Sequence, residues 1–225
     1  MKHITRRGAL KGMAAGAAAV HLLSGNRAGA AETAGELPAW KNEDFYKGGK
    51  FDADAAKKAY YTLMEFHKFP VMPVLKADQF WVQDFGIGSF IDTGMAGIFY
   101  INNLKDNYFL HDIWLLPGQM IPEHCHMKTE AAGPKMEAWL VRHGMAWMYS
   151  VGTPNPGDED RIPTSHRKIA VARKAAKTTP GEMQKLEVAE QKHFMLAGPQ
   201  GAIVTEVATY HDGAGLRFTH PGAKL

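Results

Sequence analysis

From Gln79 onward the chain is a succession of short aromatic and β-branched runs, each cut off within a few residues. Gln79 to Gln83, Ala96 to Asn102 and His111 to Leu116 are the first three. Gly-Ile-Gly, Asn-Asn-Leu-Lys-Asp-Asn and Pro-Gly separate them. Glu137 to Val151 reads as two strands about His143-Gly144, followed by a polar, Pro/Gly-rich loop from Gly152 to Pro163. The Lys/Arg-rich segment Ser165 to Lys177 reads as a solvated edge strand. Leu186-Glu187-Val188, His193 to Pro199 and Ala202 to Thr209 complete the set, the last as a final strand. Many short strands at close spacing, without a fixed repeat or a second domain, confine the chain to an all-β sandwich, jelly roll or barrel.

The helical signal lies upstream. Asp52-Ala53-Asp54 can cap a helix whose apolar positions Ala56, Ala59, Tyr60, Leu63 and Met64 share one face. Pro70 restricts the residue before it, so this helix should end near Phe69. Packing against a sheet is its expected role, with Tyr60 in the core and Tyr61 at the rim. The division is therefore 1–30, a leader; 31–72, an N-terminal arm and helix; and 73–225, the β-barrel.

The leader rests on Thr5-Arg6-Arg7-Gly8-Ala9-Leu10-Lys11, a twin-arginine pattern. A weakly apolar segment follows from Gly12 to Leu23, and Ala28-Gly29-Ala30 offers a small-x-small cleavage site. The apolar stretch is too short and glycine-rich to span a membrane stably, which leaves export to the periplasm through the twin-arginine machinery. An alanine-rich surface helix is the alternative. The whole chain has 26 basic and 23 acidic residues. Removing residues 1–30 takes away Lys2, Arg6, Arg7, Lys11 and Arg27 and no acid, leaving 21 basic against 23 acidic. The pI near 8.8 thus belongs to the leader, and no electrostatic case for nucleic acid remains. The one cysteine, Cys125, excludes an intrachain disulfide.

Chemistry gathers around Pro117-Gly118-Gln119-Met120-Ile121-Pro122-Glu123-His124-Cys125-His126. Side chains alternate across a strand, so His124 and His126 point one way and can hold one ion, while Cys125 faces away as a buried thiol. In a chain with 11 histidines such a pair can also be coincidence. Glu137, eleven residues past His126, opens an apolar run, and Gly144 follows seven residues later.

Gly118, the His-x-His pair, an acid, and Gly144 resemble the first motif of the cupin superfamily, with a longer insertion before the acid. His193, ahead of an Ala-Gly-Pro turn and a strand, resembles the histidine of the second motif. The likeness extends further. Asp84-Phe85-Gly86-Ile87-Gly88, Thr93-Gly94, Leu116-Pro117-Gly118-Gln119 and Pro122-Glu123-His124 are similar to the corresponding run of cupin-type D-lyxose ketol-isomerases. So are His193 through Glu206 and the closing Phe218-Thr219-His220-Pro221. The resemblance implies a cupin jelly-roll barrel with a short N-terminal helical segment. It places metal ligands at His124, His126, Glu137 and His193. Glu130, four residues past His126, is the rival acid; Glu137 keeps Gly144 in its motif position, and Lys135-Met136-Glu137 resembles the family's Lys-Glu-Glu.

Two departures stand out. The family pattern has a lysine at the position of His111, and an Asp/Glu-rich turn where this chain has His211 to Arg217. The implied reaction is aldose–ketose isomerisation of a small sugar through a cis-enediol, with Glu206 as the base and His111 replacing lysine as acid or standing as a neutral filler. Three imidazoles and one carboxylate suit Mn²⁺, Fe²⁺, Co²⁺, Ni²⁺ or Zn²⁺, and ligand type does not choose among them; Mn²⁺ is the ion expected here. The resemblance also implies a homodimer paired through strand edges. A cupin dioxygenase and a non-catalytic sugar- or metal-binding cupin are the competing functions.

Overall fold

The computed structural model describes residues 35–225. The leader expected at residues 1–30 lies outside them. A small hairpin, β1 (Tyr46–Lys47) and β2 (Lys50–Phe51), precedes α1 (Ala53–Phe66). One curled antiparallel sheet follows, built from β3 (Trp81–Gln83), β4 (Met95–Asn103), β5 (Tyr108–Leu115), β6 (His124–His126) and β7 (Glu137–Ser150). After the single turns α2 (Asp158–Arg161) and α3 (Thr164–Arg167) it is completed by β8 (Lys174–Thr178), β9 (Met183–Lys185), β10 (His193–Ala208) and β11 (Leu216–Phe218). This is the all-β cupin jelly roll expected from the sequence. No helix among the described residues is long and apolar enough to cross a membrane.

Two long strands hold the barrel together. β7 and β10 pair from His193 opposite Ser150 to Ala208 opposite Glu137, with interruptions between Ala197 and Ala202 and between Ile203 and Val204. The first part of β10 also meets β6, with His193 opposite His124, and the last part pairs with β5. The stretches 137–151 and 193–209 are therefore one strand each, not two. Gly144 explains the first correction. It sits at φ 70°, and a Cβ there would collide with the carbonyl of Gly201, itself at φ 70°. These glycines let the strands pass through a bulge, in which Arg142 is the extra residue between Val141 and His143. One extra residue reverses the alternation, so Trp139 and Val141 before it and Ala146 and Met148 after it enter the same core.

The basic stretch 165–177 is also corrected. It starts in α3, and only Lys174–Thr178 forms the edge strand, paired with β7 alone. The loop 152–163 holds α2, because the buried Asp158 carboxylate accepts the backbone N–H of Asn155 and Ala175 at 2.8 and 3.0 Å. The short strand expected at 186–188 falls at Met183–Lys185 instead.

Alternation along β5 sends its side chains into two different cores. On β5, Ile113 and Leu115 face the barrel interior, while Trp114 joins the outer core beneath α1. Helix α1 is capped by Asp52, whose carboxylate accepts the Ala55 N–H at 3.1 Å. It ends at Phe66, slightly before the expected Phe69. Its buried residues are those on the sequence stripe. Tyr60 connects this layer to the site: its hydroxyl donates to the buried Gln119 at 2.6 Å, and Gln119 lies in the turn leading to β6.

Candidate metal centre

The strand β6 is held from both sides. His124 pairs with His193 of β10 and Phe218 of β11, and Leu216 pairs with His126. Glu123, fully buried beside it, accepts the N–H groups of Val171 and Ala172 at 2.7 and 2.6 Å and the Thr219 hydroxyl at 2.5 Å. These bonds tie the loop before β8 and the segment after β11 to the residue preceding His124. The histidine pair is thus set by backbone pairing plus one buried carboxylate.

One ligand atom from each of His124, His126, Glu137 and His193 lies within 4.8 Å of the others. Glu130 is exposed on the loop and stands outside the group. The Nε2 of His193 is 2.9 Å, and that of His126 3.4 Å, from Glu137 Oε1. None of these three buried atoms has a hydrogen-bond partner of acceptable geometry, so they converge on a common point without satisfying one another. Two of the outer nitrogens are occupied: His124 Nδ1 lies 2.8 Å from the Pro122 carbonyl, and His193 Nδ1 2.9 Å from that of Gln191, whereas His126 Nδ1 is buried without a partner. Such bonds fix the tautomer that leaves Nε2 bare for a metal.

Electrostatics agree with a cation here. Burial, then His193, pushes His124 down to about 3, and burial pushes His126 lower still, so both are neutral imidazoles. Burial would raise Glu137, but Lys135 and His193 hold its carboxyl well below the usual carboxylate range. Burial would likewise lower His193, yet the Glu137 carboxylate raises it, an attraction for positive charge at that point. The donor set and its unpartnered atoms fit a divalent ion.

Glu206 lies on β10 within the same cavity, its side chain buried with those of Ala202 and Val204 on the inner face. It is joined to Glu137 by Lys135, whose ammonium touches Glu206 Oε1 and donates to Glu137 Oε2 at 2.9 Å. Burial would lower this lysine, but the two carboxylates overcome it and keep it charged. Sequence reasoning passed over Lys135 as a working residue. The signal for it was the Lys-x-Glu spacing, which puts both side chains on one face of an extended chain.

His111 meets the other oxygen of Glu206, with Nδ1 3.2 Å from Oε2. Its Nε2 is buried without a partner against Gly97 and the Trp81 indole, where a Cβ at residue 97 would collide with both. Trp81 stacks on the imidazole at 5.6 Å, and Phe99 meets it edge-on at 4.8 Å. Burial lowers His111, with Glu206 opposing, so it stands as a neutral ring bonded to the carboxylate. Cys125 is buried, faces away from the group, and contacts Met127.

The four candidate ligands open with Lys135, Glu206 and His111 onto one cavity of about 370 Å³, at the small end of the roughly 300–1,000 Å³ range for ligand pockets.

Three imidazoles and a carboxylate converging inside a jelly-roll barrel define a cupin with a candidate metal centre. No family model matches the chain. Its sequence is 31% identical over 143 residues to the D-lyxose/D-mannose isomerase of Thermosediminibacter oceani, covering 64% of this chain and 77% of that protein. It is also 31% identical over 128 residues to the D-lyxose ketol-isomerase of Cohnella laeviribosi, covering 57% and 69%. The chain belongs to the D-lyxose ketol-isomerase family of sugar isomerases. Among solved structures, the L-ribose isomerase of Cellulomonas parahominis shares the fold, with a TM-score of 0.60, 15% identity, and coverage of 76% of this chain and 92% of that one.

Proposed function

We propose that the protein is an exported, metal-dependent aldose–ketose isomerase acting on a D-lyxose-type sugar. The observation that carries this reading is the Glu137–Lys135–Glu206 chain, which sets a candidate base one side chain away from the metal ligands. His124, His126, Glu137 and His193 would hold the ion, Mn²⁺ in the first instance. When bound, it supplies Lewis acidity at the oxygens of C1 and C2.

The remaining work falls to the chain's own groups. Isomerisation requires a proton to leave one carbon and return to its neighbour, and Glu206 is the carboxylate placed to carry it. Lys135, fixed between two carboxylates, is a preorganised donor toward an oxygen that gains negative charge as the proton leaves. His111 bonds Glu206 Oε2 while its other nitrogen is sealed by Trp81 and Gly97. It therefore positions the base and does not touch the substrate. The apolar walls keep water from the enediol.

The test is proton NMR in D₂O, under nitrogen, of metal-reconstituted protein with a panel of pentoses and hexoses. Deuterium entering C1 or C2 with ketose formation is expected, and silence across the panel with metal bound overturns the reading. Glu206→Gln should lower exchange by at least roughly 10²-fold, the usual scale of a general base. Full activity in that variant removes Glu206 from the role.

The twin-arginine pattern at Arg6-Arg7 supports export, with folding and metal loading before translocation and the periplasm as the destination. Fractionation of an Arg6→Lys/Arg7→Lys double variant tests this. Periplasmic protein undiminished by the change would refute the route.

A further inference from the structure

We propose that the segment 219–225 closes the substrate cavity along its open side, with Gln83 as the positioning residue that holds it and Leu225 as the side chain it presents to the sugar. The role toward sugar rests on the isomerase reading above and deepens it; the closure itself stands on the geometry alone.

Strand pairing runs along the path β11, β6, β10, β5, β4, β3, so β11 and β3 are its two ends, and among the described residues no ladder joins them. They are neighbours nonetheless. Phe218, the last residue of β11, packs edge-on against Phe85, two residues past β3, with ring centroids 5.6 Å apart. Gln83 and Phe85 on one side, and Leu216 and Phe218 on the other, line the cavity that holds the candidate ligands. The sheet is therefore open along a seam between β3 and β11. This seam leads to the metal group, since Phe218 lies 6.0 Å from His124.

Residues 219–225 cross the seam. On the β11 side, the Thr219 N–H and hydroxyl donate to the carbonyl and carboxylate of the buried Glu123, at 2.9 and 2.5 Å. The chain then turns on His220, whose carbonyl accepts the Ala223 N–H and whose Nδ1 accepts that of Gly222, both at 3.1 Å. On the β3 side the Lys224 N–H donates to the Phe85 carbonyl at 2.9 Å, and the Lys224 carbonyl accepts the Gln83 amide at 3.0 Å. The Lys224 stem lies over Gly86, where a Cβ would collide with it. Leu225 follows. It is 70% exposed and yet lines the cavity, which puts it at the boundary between cavity and solvent.

Of the two bonds on the β3 side, one comes from a side chain, so a change at Gln83 can release the segment without altering the backbone. The four candidate ligands sit on β6, β7 and β10 and do not depend on it. Release should therefore take contact from the bound sugar and leave the chemical step alone, which appears as a higher KM at constant kcat.

The experiment compares the full chain with a chain stopped after Gly222, with Gln83→Met, with both changes together, and with Leu225→Ala, a mild change at an exposed position. Acrylamide quenching of tryptophan fluorescence in the metal-free proteins reads access to Trp81 and Trp139, which line the cavity. Deuterium exchange by the metal-reconstituted proteins gives KM and kcat. Stronger quenching is expected in the stopped chain and in Gln83→Met. Their KM should rise roughly four- to fifteenfold, the worth of one or two buried CH₂ groups, with kcat held within about twofold. Leu225→Ala should raise KM by about fourfold. Gln83→Met should add nothing in the stopped chain, because the two changes remove one contact. Unchanged quenching overturns the closure. Effects on KM that multiply would show that Gln83 meets the sugar itself, and an unchanged KM would show that the segment does not wall it; either overturns the proposal and leaves the isomerase reading intact. Stronger quenching, with no exchange of any sugar by the full chain, would sustain the closure and refute the isomerase reading.

Discussion

Replacing Lys135 by methionine removes a buried charge while keeping an apolar stem of similar length. Lys135 is 5% exposed, 2.9 Å from Glu137 Oε2, in contact with Glu206 Oε1, and 4.6 Å from the Phe109 ring centroid. Without the ammonium, two buried carboxylates share an apolar cavity with nothing between them. Breaking a buried ion pair by deleting one partner costs about 3–5 kcal/mol. In a domain of this size each kcal/mol is about 2–4 °C of Tm, so the variant should melt roughly 6–20 °C lower. A divalent ion held by Glu137 compensates one of the carboxylates, so the loss should be larger in chelator-treated protein than in reconstituted protein. Calorimetry on both forms measures it. Adding Glu206→Gln to Lys135→Met removes the second uncompensated charge and should recover about half of the lost stability or more. A metal-free single variant melting within about 2 °C of the parent, or a double variant no more stable than the single, would refute the account of Lys135 as the bridge.

Three further substitutions test the frame and the ligand choice. Glu137→Gln should leave the protein with little metal after dialysis, by elemental analysis, while Glu130→Gln retains it. Equal metal contents would undo the assignment of the acid. Asp158 carries a pH signature. Burial would raise its carboxyl, but the N–H groups of Ala175 and Asn155 and the Arg161 guanidinium hold it below its usual range. Its stabilisation is therefore complete above the unfolded value of about 3.9 and is lost as pH falls through the folded one. Asp158→Asn should cost roughly 1–3 kcal/mol at pH 7 in urea unfolding, and the gap should close below about pH 4. A gap that does not change with pH would show that the charge is not what matters.

What the sequence disclosed and what it withheld divide along physical lines. His124 and His126 were legible because strand alternation is local, and the helix stripe from Ala56 to Met64 was legible for the same reason. The barrel followed from many short strands in a chain with one core to fill. Spacing alone left Glu130 and Glu137 both open. The register of β7 against β10 is what brings Glu137 inward and leaves Glu130 on an exposed loop. The extra residue at Arg142 also reverses which side chains face the core, so no period-2 reading could carry through 137–150 unbroken. Lys135 was hidden because its meaning depends on Glu206, 71 residues away. His111 was seen but could not be given a part until Gly97 and Trp81 were found closing its second nitrogen.

The two departures from the family pattern that the resemblance implies are His111 at the position of a lysine and the turn His211 to Arg217 in place of an acidic one; His111 and His211 are 100 residues apart in the sequence and meet in space. Phe109 lies 5.6 Å from each imidazole, and Phe99 is 4.8 Å from His111 and 5.5 Å from His211. Two imidazoles thus share one aromatic cage beside the charged Lys135 and Glu137. Burial, ahead of the charge on Lys135, pushes His211 down to about 4, so it is neutral at pH 7. Reversing one exchange alone should be costly. His111→Lys sets a second ammonium beside Lys135 in an aromatic cage, and His211→Glu sets a third buried carboxylate near Glu137. Together they restore a pair. In a double-mutant cycle read by urea unfolding, the double variant should be more stable than the sum of the singles by about 0.5–3 kcal/mol, the range for residues in contact. Additive effects would mean that the two positions changed independently and that their meeting around Phe109 carries no charge balance.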